Sequence, residues 1–292
     1  MKEKLAFWTL ILTITAFCVS FRNSQTPVSR FTNADYAQHI IKLKKKIPDA
    51  NFTIILQKPF VVIGNEKPDM VKMRAEKTIK WAVDKLKAEY FTRDPVWIVD
   101  IWLFKNDKDY KIYAKEIFGD NPTTPFGYVS ASDHALIMNI ATGGGTLVHE
   151  IVHPFIGANF PNCPPWFNEG LASLYEQSGE KDGRIVGHTN WRLSGLKEKI
   201  RAGKLPSFET LFKTGSNFYS TGPSYSDNYA QARYLCYYLQ EKGLLKKFYL
   251  QFVANAKKDP TGYQTLQNIL GNPDMKKFQS EWQNWILQLT FP

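Results

Sequence analysis

The residues with the clearest chemical potential are His149-Glu150-Ile151-Val152-His153. Helical residues succeed one another by about 100°, so positions i and i+4 lie on one face, a turn apart. Two imidazoles spaced in this way can point at one metal ion. Glu150, next round the helix, falls beside such an ion rather than on it, where its carboxylate can take a proton from an activated water. The pattern therefore predicts metal-assisted hydrolysis, with two ligands and a general base on one helix turn. A catalytic zinc site needs a third protein ligand and one open position. Glu169 follows His153 after 15 intervening residues, within Pro164-Pro165-Trp166-Phe167-Asn168-Glu169-Gly170-Leu171-Ala172, and the Pro-Pro-Trp turn starts a second helix there. Pro154 to Pro165 is read as the connection that folds this helix back on the first. Glu176, two turns on, is the fallback ligand. A three-histidine site is excluded, because Ile156 and Asn159 stand where it would need Gly and His. His188 reads as a loop residue. His39 and His134 precede the motif and read as ordinary surface or core residues.

The segment Trp166-Phe167-Asn168-Glu169-Gly170-Leu171-Ala172 resembles the one that supplies the glutamate ligand in gluzincin peptidases, including the thermolysin-like aminopeptidases and the peptidase MA-like family. The resemblance covers roughly residues 140–290, strongly at the two metal motifs and diffusely elsewhere. It implies a zincin-like fold and one Zn2+ per chain held by His149, His153 and Glu169, with Glu150 as general base and a peptide or protein as substrate. It also implies a tyrosine that stabilises the oxyanion at the opening of a later helix. Tyr229 stands at the matching place and Tyr225 is the runner-up. The Gly-x-Met-Glu-Asn segment with which the aminopeptidases grip a free amine is missing, and Ala141 to Gly145 occupies its place. An endopeptidase is thus favoured over an aminopeptidase. The triple glycine Gly143–Gly145 is either a flexible cleft rim or the loop into the helix. The alternative function is a catalytically silent envelope protein that uses the same cleft for binding.

The elements that must position these residues can be read from periodicity. Residues 1–20 read as a signal peptide or N-terminal anchor: Lys2 and Lys4 precede an apolar run from Leu5 to Val19, short for a spanning helix. Cys18 is a lipidation candidate disfavoured by the bulky Phe17. The chain is accordingly expected to be exported, whether periplasmic, extracellular or anchored on the outer side of the cytoplasmic membrane. Residues 21–35 read as a flexible lead. An α/β part, 36–141, has a helix from Tyr36 to Lys46, strands at Phe52–Gln57, Phe60–Ile63 and Val96–Phe104, and helices at Met70–Tyr90 and Asp107–Phe118. A hairpin of Tyr128–Ser132 and Ala135–Ile140 turns at Asp133 and His134. Ala135–Ile140 is either an edge strand that could pair with an extended peptide or an interior strand. Residues 142–292 read as a helical lobe, with helices at Asn190–Ala202, Phe208–Phe212, Asn228–Lys242, Leu244–Asn255, Thr261–Leu270 and Met275–Leu289. The fold class expected is α+β, a small mixed sheet followed by a mainly helical lobe with the metal cleft between them.

Composition sets the outer bounds. The 292 residues are 43% hydrophobic and 22% charged, an ordinary globular balance with one or two cores. The net charge of +10 is read as lysines on solvated helix faces, with Lys42 to Lys46 the only dense run. No nucleic-acid motif is present, so nucleic acid is not expected as a partner. Beyond Cys18, Cys163 and Cys236 either pair in an oxidising compartment or stay as thiols.

Overall fold

Three strands of nearly unbroken apolar sequence dictate the centre of the molecule. β2 (Phe60–Gly64), β3 (Val99–Phe104) and β5 (Ala135–Asn139) are buried along their whole length, as parallel strands covered on both faces must be. They run parallel to one another. β1 (Thr53–Gln57) and β4 (Gly127–Ser130) flank them antiparallel, giving the order β1-β2-β3-β5-β4. The computed structural model that shows this describes residues 30–220 and 223–292, with the side chains of 223–225 left out of the description. The expectations for the signal segment, Cys18 and residues 21–29 therefore lie outside the described residues, as does the side chain of Tyr225.

The alternation of side chains along each strand divides the core in two. Val61, Ile63, Trp102, Phe104, Ala135 and Ile137 face α1 (Asn33–Leu43) and α4 (Asp107–Phe118). Phe60, Val62, Ile101, Leu103, Leu136 and Met138 face the other way. There they meet a continuous helical rod of α2 (Pro68–Met73), a π-helical stretch Arg74–Ile79 and α3 (Lys80–Glu89), and also α5 (Gly144–Asn159). This second core runs without interruption into the C-terminal helices α6 (Pro165–Leu174), α7 (Arg192–Arg201), α8 (Phe208–Phe212), α9 (Pro223–Glu241), α10 (Leu245–Asn255), α11 (Tyr263–Ile269) and α12 (Met275–Gln288). Mixed α+β architecture with a helical C-terminal region is as expected. Among the described residues no helix is long and apolar enough to cross a membrane.

Several expectations are corrected. Ala135–Ile140 is not an edge strand: β5 lies between β3 and β4, and β4 is the edge. The second half is mainly helical as expected, but it also holds two strands that the sequence reading did not include. β6 (Ser178–Lys181) and β7 (Arg184–Gly187) form a hairpin whose Asp182-Gly183 turn takes positive φ at both residues, the conformation that two-residue hairpin loops require. The lead ends before residue 35, because Thr32 caps α1 in a reciprocal capping box with Asp35. Asn106 caps α4, its side chain accepting from the Asp109 amide. Residues 96–98 stay outside β3, and α9 begins at Pro223, so Tyr229 sits within that helix rather than at its opening.

The triple glycine is neither rim nor loop. Gly143 caps α5 with φ +105°, and Gly144 and Gly145 form its first turn. A Cβ on Gly145 would stand 2.0 Å from the backbone carbonyl oxygen of Glu176, so only glycine lets the two chains approach this closely. Gly157, on the same helix, has nothing within 4 Å of such a Cβ. Gly145→Ala should therefore destabilise the protein by about 1–3 kcal/mol through overpacking. Gly157→Ala should stabilise it by about 0.5–1 kcal/mol through helix propensity. Thermal unfolding of the two variants checks the opposite signs.

Candidate metal centre

α5 brings His149, Glu150 and His153 to one place because the rest of its surface is apolar. Leu147, Val148, Ile151, Val152, Phe155 and Ile156 are all buried and fix its rotation against the sheet. Its far end is pinned by Asn159, whose side-chain oxygen accepts from the amides of Thr92 and Arg93 and whose amide donates to the Arg93 carbonyl. α5 takes up the first half of the expected connection, with Pro154 inside the helix. It continues to Asn159, and a short turn then leads to Pro165, the first residue of α6, where a missing N–H costs nothing. Trp166 anchors that start by donating its indole N–H to the Thr261 carbonyl.

The ligand atoms of His149, Glu150 and His153 lie within 4.8 Å of one another. Glu169 also reaches both imidazoles. Its Oε2 stands 3.3 Å from His149 Nε2 and 3.9 Å from His153 Nε2. Zinc–ligand bonds of about 2.0–2.1 Å put two tetrahedral ligands about 3.3 Å apart, the first of these spacings, and the second is roughly half an ångström wider. Glu169 Oε2 is also buried without a hydrogen-bond partner, which is what a carboxylate oxygen aimed at a cation would be. Glu150 Oε2 lies 3.8 Å from His153 Nε2, beside the three. The donor set, two imidazole nitrogens and a carboxylate oxygen with a fourth position open, fits zinc.

The opposite sides of these groups are held as well. Asn168 Oδ1 is 3.0 Å from His153 Nδ1, so that nitrogen donates and Nε2 keeps its lone pair for a ligand. Glu176 is not a fallback ligand: its Oε1 lies 3.4 Å from His149 Nδ1, on the side of the ring away from Glu169. Glu176 is in turn gripped by Arg192, which donates from Nε and Nη2 at 2.9 and 2.7 Å, and by Asn190 Nδ2 at 3.0 Å. Tyr219, in the turn Gly215–Tyr219, donates its hydroxyl to Glu169 Oε1 at 3.2 Å. Nothing in its sequence setting singled out Tyr219. Its segment, Phe218 to Tyr229, holds three tyrosines, and only the folded chain tells which one reaches the carboxylate. The expected Tyr229 packs its ring against Phe218 at 5.0 Å and under the Arg192 guanidinium at 5.2 Å.

The charges are strongly coupled. Burial raises the Glu169 carboxyl, but His153 and His149 more than offset it and, with the Tyr219 hydroxyl, hold it down at about 2. Burial acts the same way on Glu176, and Arg192 and His149 bring it to about 2 as well. Burial disfavours the His149 imidazolium, yet Glu169 and Glu176, with Glu150 behind them, lift it to about 10. In the metal-free protein a proton on His149 thus neutralises part of the acid cluster, and a cation would have to displace it.

The remaining expectations sort simply. His188 stays in the loop between β7 and α7, His39 pairs with Asp100 at 2.7 Å, and His134 stacks on Trp97, so none joins the cluster. Cys163 and Cys236 are both free thiols.

Glu176→Gln keeps the side chain's volume but removes the charge that orients His149. It should weaken zinc binding about 10- to 100-fold without unfolding the chain, measured by competition against a chromophoric chelator. No protein-family model matches this chain, and no curated protein matches it either.

Proposed function

We propose that this chain is an exported, zinc-dependent metallopeptidase of the gluzincin type that cleaves within peptide chains. The observation that carries the reading is the Glu169 Oε2 atom, buried, without a hydrogen bond, and within 3.3 and 3.9 Å of the Nε2 atoms of the two motif histidines. His149, His153 and Glu169 would hold the ion, whose chemistry when bound is Lewis acidity toward a water and a carbonyl oxygen. Glu150, left off the ion, takes the proton of the attacking water and passes it to the leaving amine. Asn168 and Glu176 keep the two imidazoles in the ligating tautomer and orientation.

The sheet supports a peptide as the substrate class and a zincin-like arrangement. β4 is an antiparallel edge strand beside β5, and α5 follows directly after that hairpin. The Asn139 amide donates to the Phe126 carbonyl, so the hydrogen-bonding pairs alternate from there, and Gly127 and Val129 turn their backbone groups to the open edge. An extended peptide could add to that edge by backbone pairing.

Among the described side chains, two tyrosines compete as hydrogen-bond donors to the developing oxyanion. Family spacing selects Tyr229. The hydrogen bond to Glu169 selects Tyr219, which is 43% exposed and accessible to a substrate. We assign the role to Tyr219.

Two measurements test the reading. Glu150→Gln should bind zinc with the stoichiometry of the wild type and lose about 10²–10⁴-fold in turnover of an unfolded protein substrate; full activity in that variant would remove the mechanism. Tyr219→Phe should lower kcat about 10²–10³-fold with KM little changed, and Tyr229→Phe should cost less. The reverse order would return the role to Tyr229.

A further inference from the structure

The single dense lysine run of the sequence ends up beside an exposed tryptophan. Lys42, Lys44, Lys45 and Lys46 close α1 and the turn after it, and all four are exposed. Lys46 Nζ lies 3.5 Å from Asp133, in the loop between β4 and β5. The next residue in that loop, His134, stacks on Trp97 with ring centroids 4.5 Å apart. Trp97 is nevertheless 57% exposed, Val96 beside it 41%, and Ile41 on the last turn of α1 54%. Basic side chains and large apolar ones thus share one surface. The only acid between residues 30 and 48 is Asp35, tied up in the capping box at the other end of α1.

We propose that this surface docks the protein on an anionic phospholipid bilayer. Each lysine near such a surface favours binding by about fivefold in partition, and the attraction fades within a Debye length. Tryptophan settles at the headgroup level with its ring in the apolar boundary and its N–H toward water. Neither signal suffices alone, since stable peripheral binding takes an apolar contact together with a basic one. The apolar run from Leu5 to Val19 adds to this choice of partner. Residues 20–32 separate it from α1, a length that spans at most about 45 Å. A chain held in a bilayer by that run would keep the lysines within reach of the headgroups. α1 covers the sheet face opposite α5, so a docked molecule carries its candidate metal centre on the side of the sheet away from the lipid. The inference stands independently of the proposed enzymatic activity.

The test is flotation of the full chain with vesicles of phosphatidylcholine alone or mixed with phosphatidylglycerol in a roughly 7:3 ratio, at about 0.05 M and 0.5 M salt. The phosphatidylglycerol vesicles should bind more tightly at low salt. The variant carrying Lys42→Gln, Lys44→Gln and Lys45→Gln should lose that preference by about a hundredfold, with an unchanged circular dichroism spectrum and thermal midpoint as proof of folding. Trp97→Ala should lower partition at both salt concentrations. The Trp97 emission, taken as wild type minus Trp97→Phe, should shift to the blue only when anionic vesicles are added. A three-lysine variant with wild-type preference overturns the proposal, as does equal binding to both vesicle types. So does a Trp97 signal already blue and quencher-resistant without lipid, which would mean that the chain's own N-terminal segment covers the patch. Tighter lysine-dependent capture of an RNA oligonucleotide than of vesicles would overturn it as well.

Discussion

Three carboxylates, Glu150, Glu169 and Glu176, are buried around two imidazoles, and this excess of negative charge is the constraint on which the site depends. Arg192 supplies one compensating charge. With both imidazoles neutral, a divalent cation would balance what is left. Buried ions are costly by several kcal/mol each unless paired and hydrogen-bonded. The surrounding carboxylates favour a proton on His149, and a zinc ion would balance the same charge more completely. The carboxylates push the His149 imidazole up, while Glu169 is held down at about 2 by His153 and His149 and Glu176 by Arg192 and His149.

α6 shows how one short helix serves the whole cluster. Asn168 and Glu169 are neighbours in sequence, so their side chains leave the helix about 100° apart. One reaches the outer nitrogen of His153 and the other the space between both histidines. Glu176, just past the last turn, reaches the outer nitrogen of His149. These placements require the end of α6 to be fixed. The fully buried Arg233 on α9 does so, donating to the carbonyls of Ser173, Leu174 and His188. The first two are carbonyls of the last turn of α6, where a guanidinium also complements the helix dipole, and the third ties in the loop after β7. Gly170 lets α9 come close enough: a Cβ there would meet the Ala232 carbonyl oxygen at 3.0 Å.

Much of this was legible in the sequence, for identifiable reasons. The three central strands announce themselves as unbroken apolar runs and the amphipathic helices by their period, and α5 and α6 by residues whose spacing is set by helix geometry. The interior place of β5 left a trace in the unbroken apolar run Ala135-Leu136-Ile137-Met138, against the mixed Gly127-Tyr128-Val129-Ser130 of β4, but strand order itself is set by long-range pairing. The β6–β7 hairpin could have been found from Asp182-Gly183, a strong two-residue turn signal, but it lies in a stretch of polar residues with no alternation to support it. Tyr219 and the role of Glu176 could not be found, since both depend on where loops return in space.

α5 itself is built against its own propensities, which clarifies what holds the site. Gly144 and Gly145 open it, Gly157 lies near its end and Pro154 follows the second histidine directly. Each interior glycine costs about 1 kcal/mol relative to alanine, and a proline in a helix interior about 3 kcal/mol. Pro154 also leaves the Glu150 carbonyl without its usual intrahelical donor four residues on. Burying one large apolar side chain returns about 1.5–3 kcal/mol. Two of the six that α5 buries therefore outweigh the proline. The helix is held by the sheet, the helical rod and α6 rather than by its own backbone preference. Local rules are broken where the surroundings over-determine the structure, and this is where a site can be kept rigid with its carbonyls, carboxylates and imidazoles turned toward a ligand. His149, Glu150 and His153 thus owe their alignment to contacts spread over both halves of the chain, so the candidate centre and the fold form one cooperative unit.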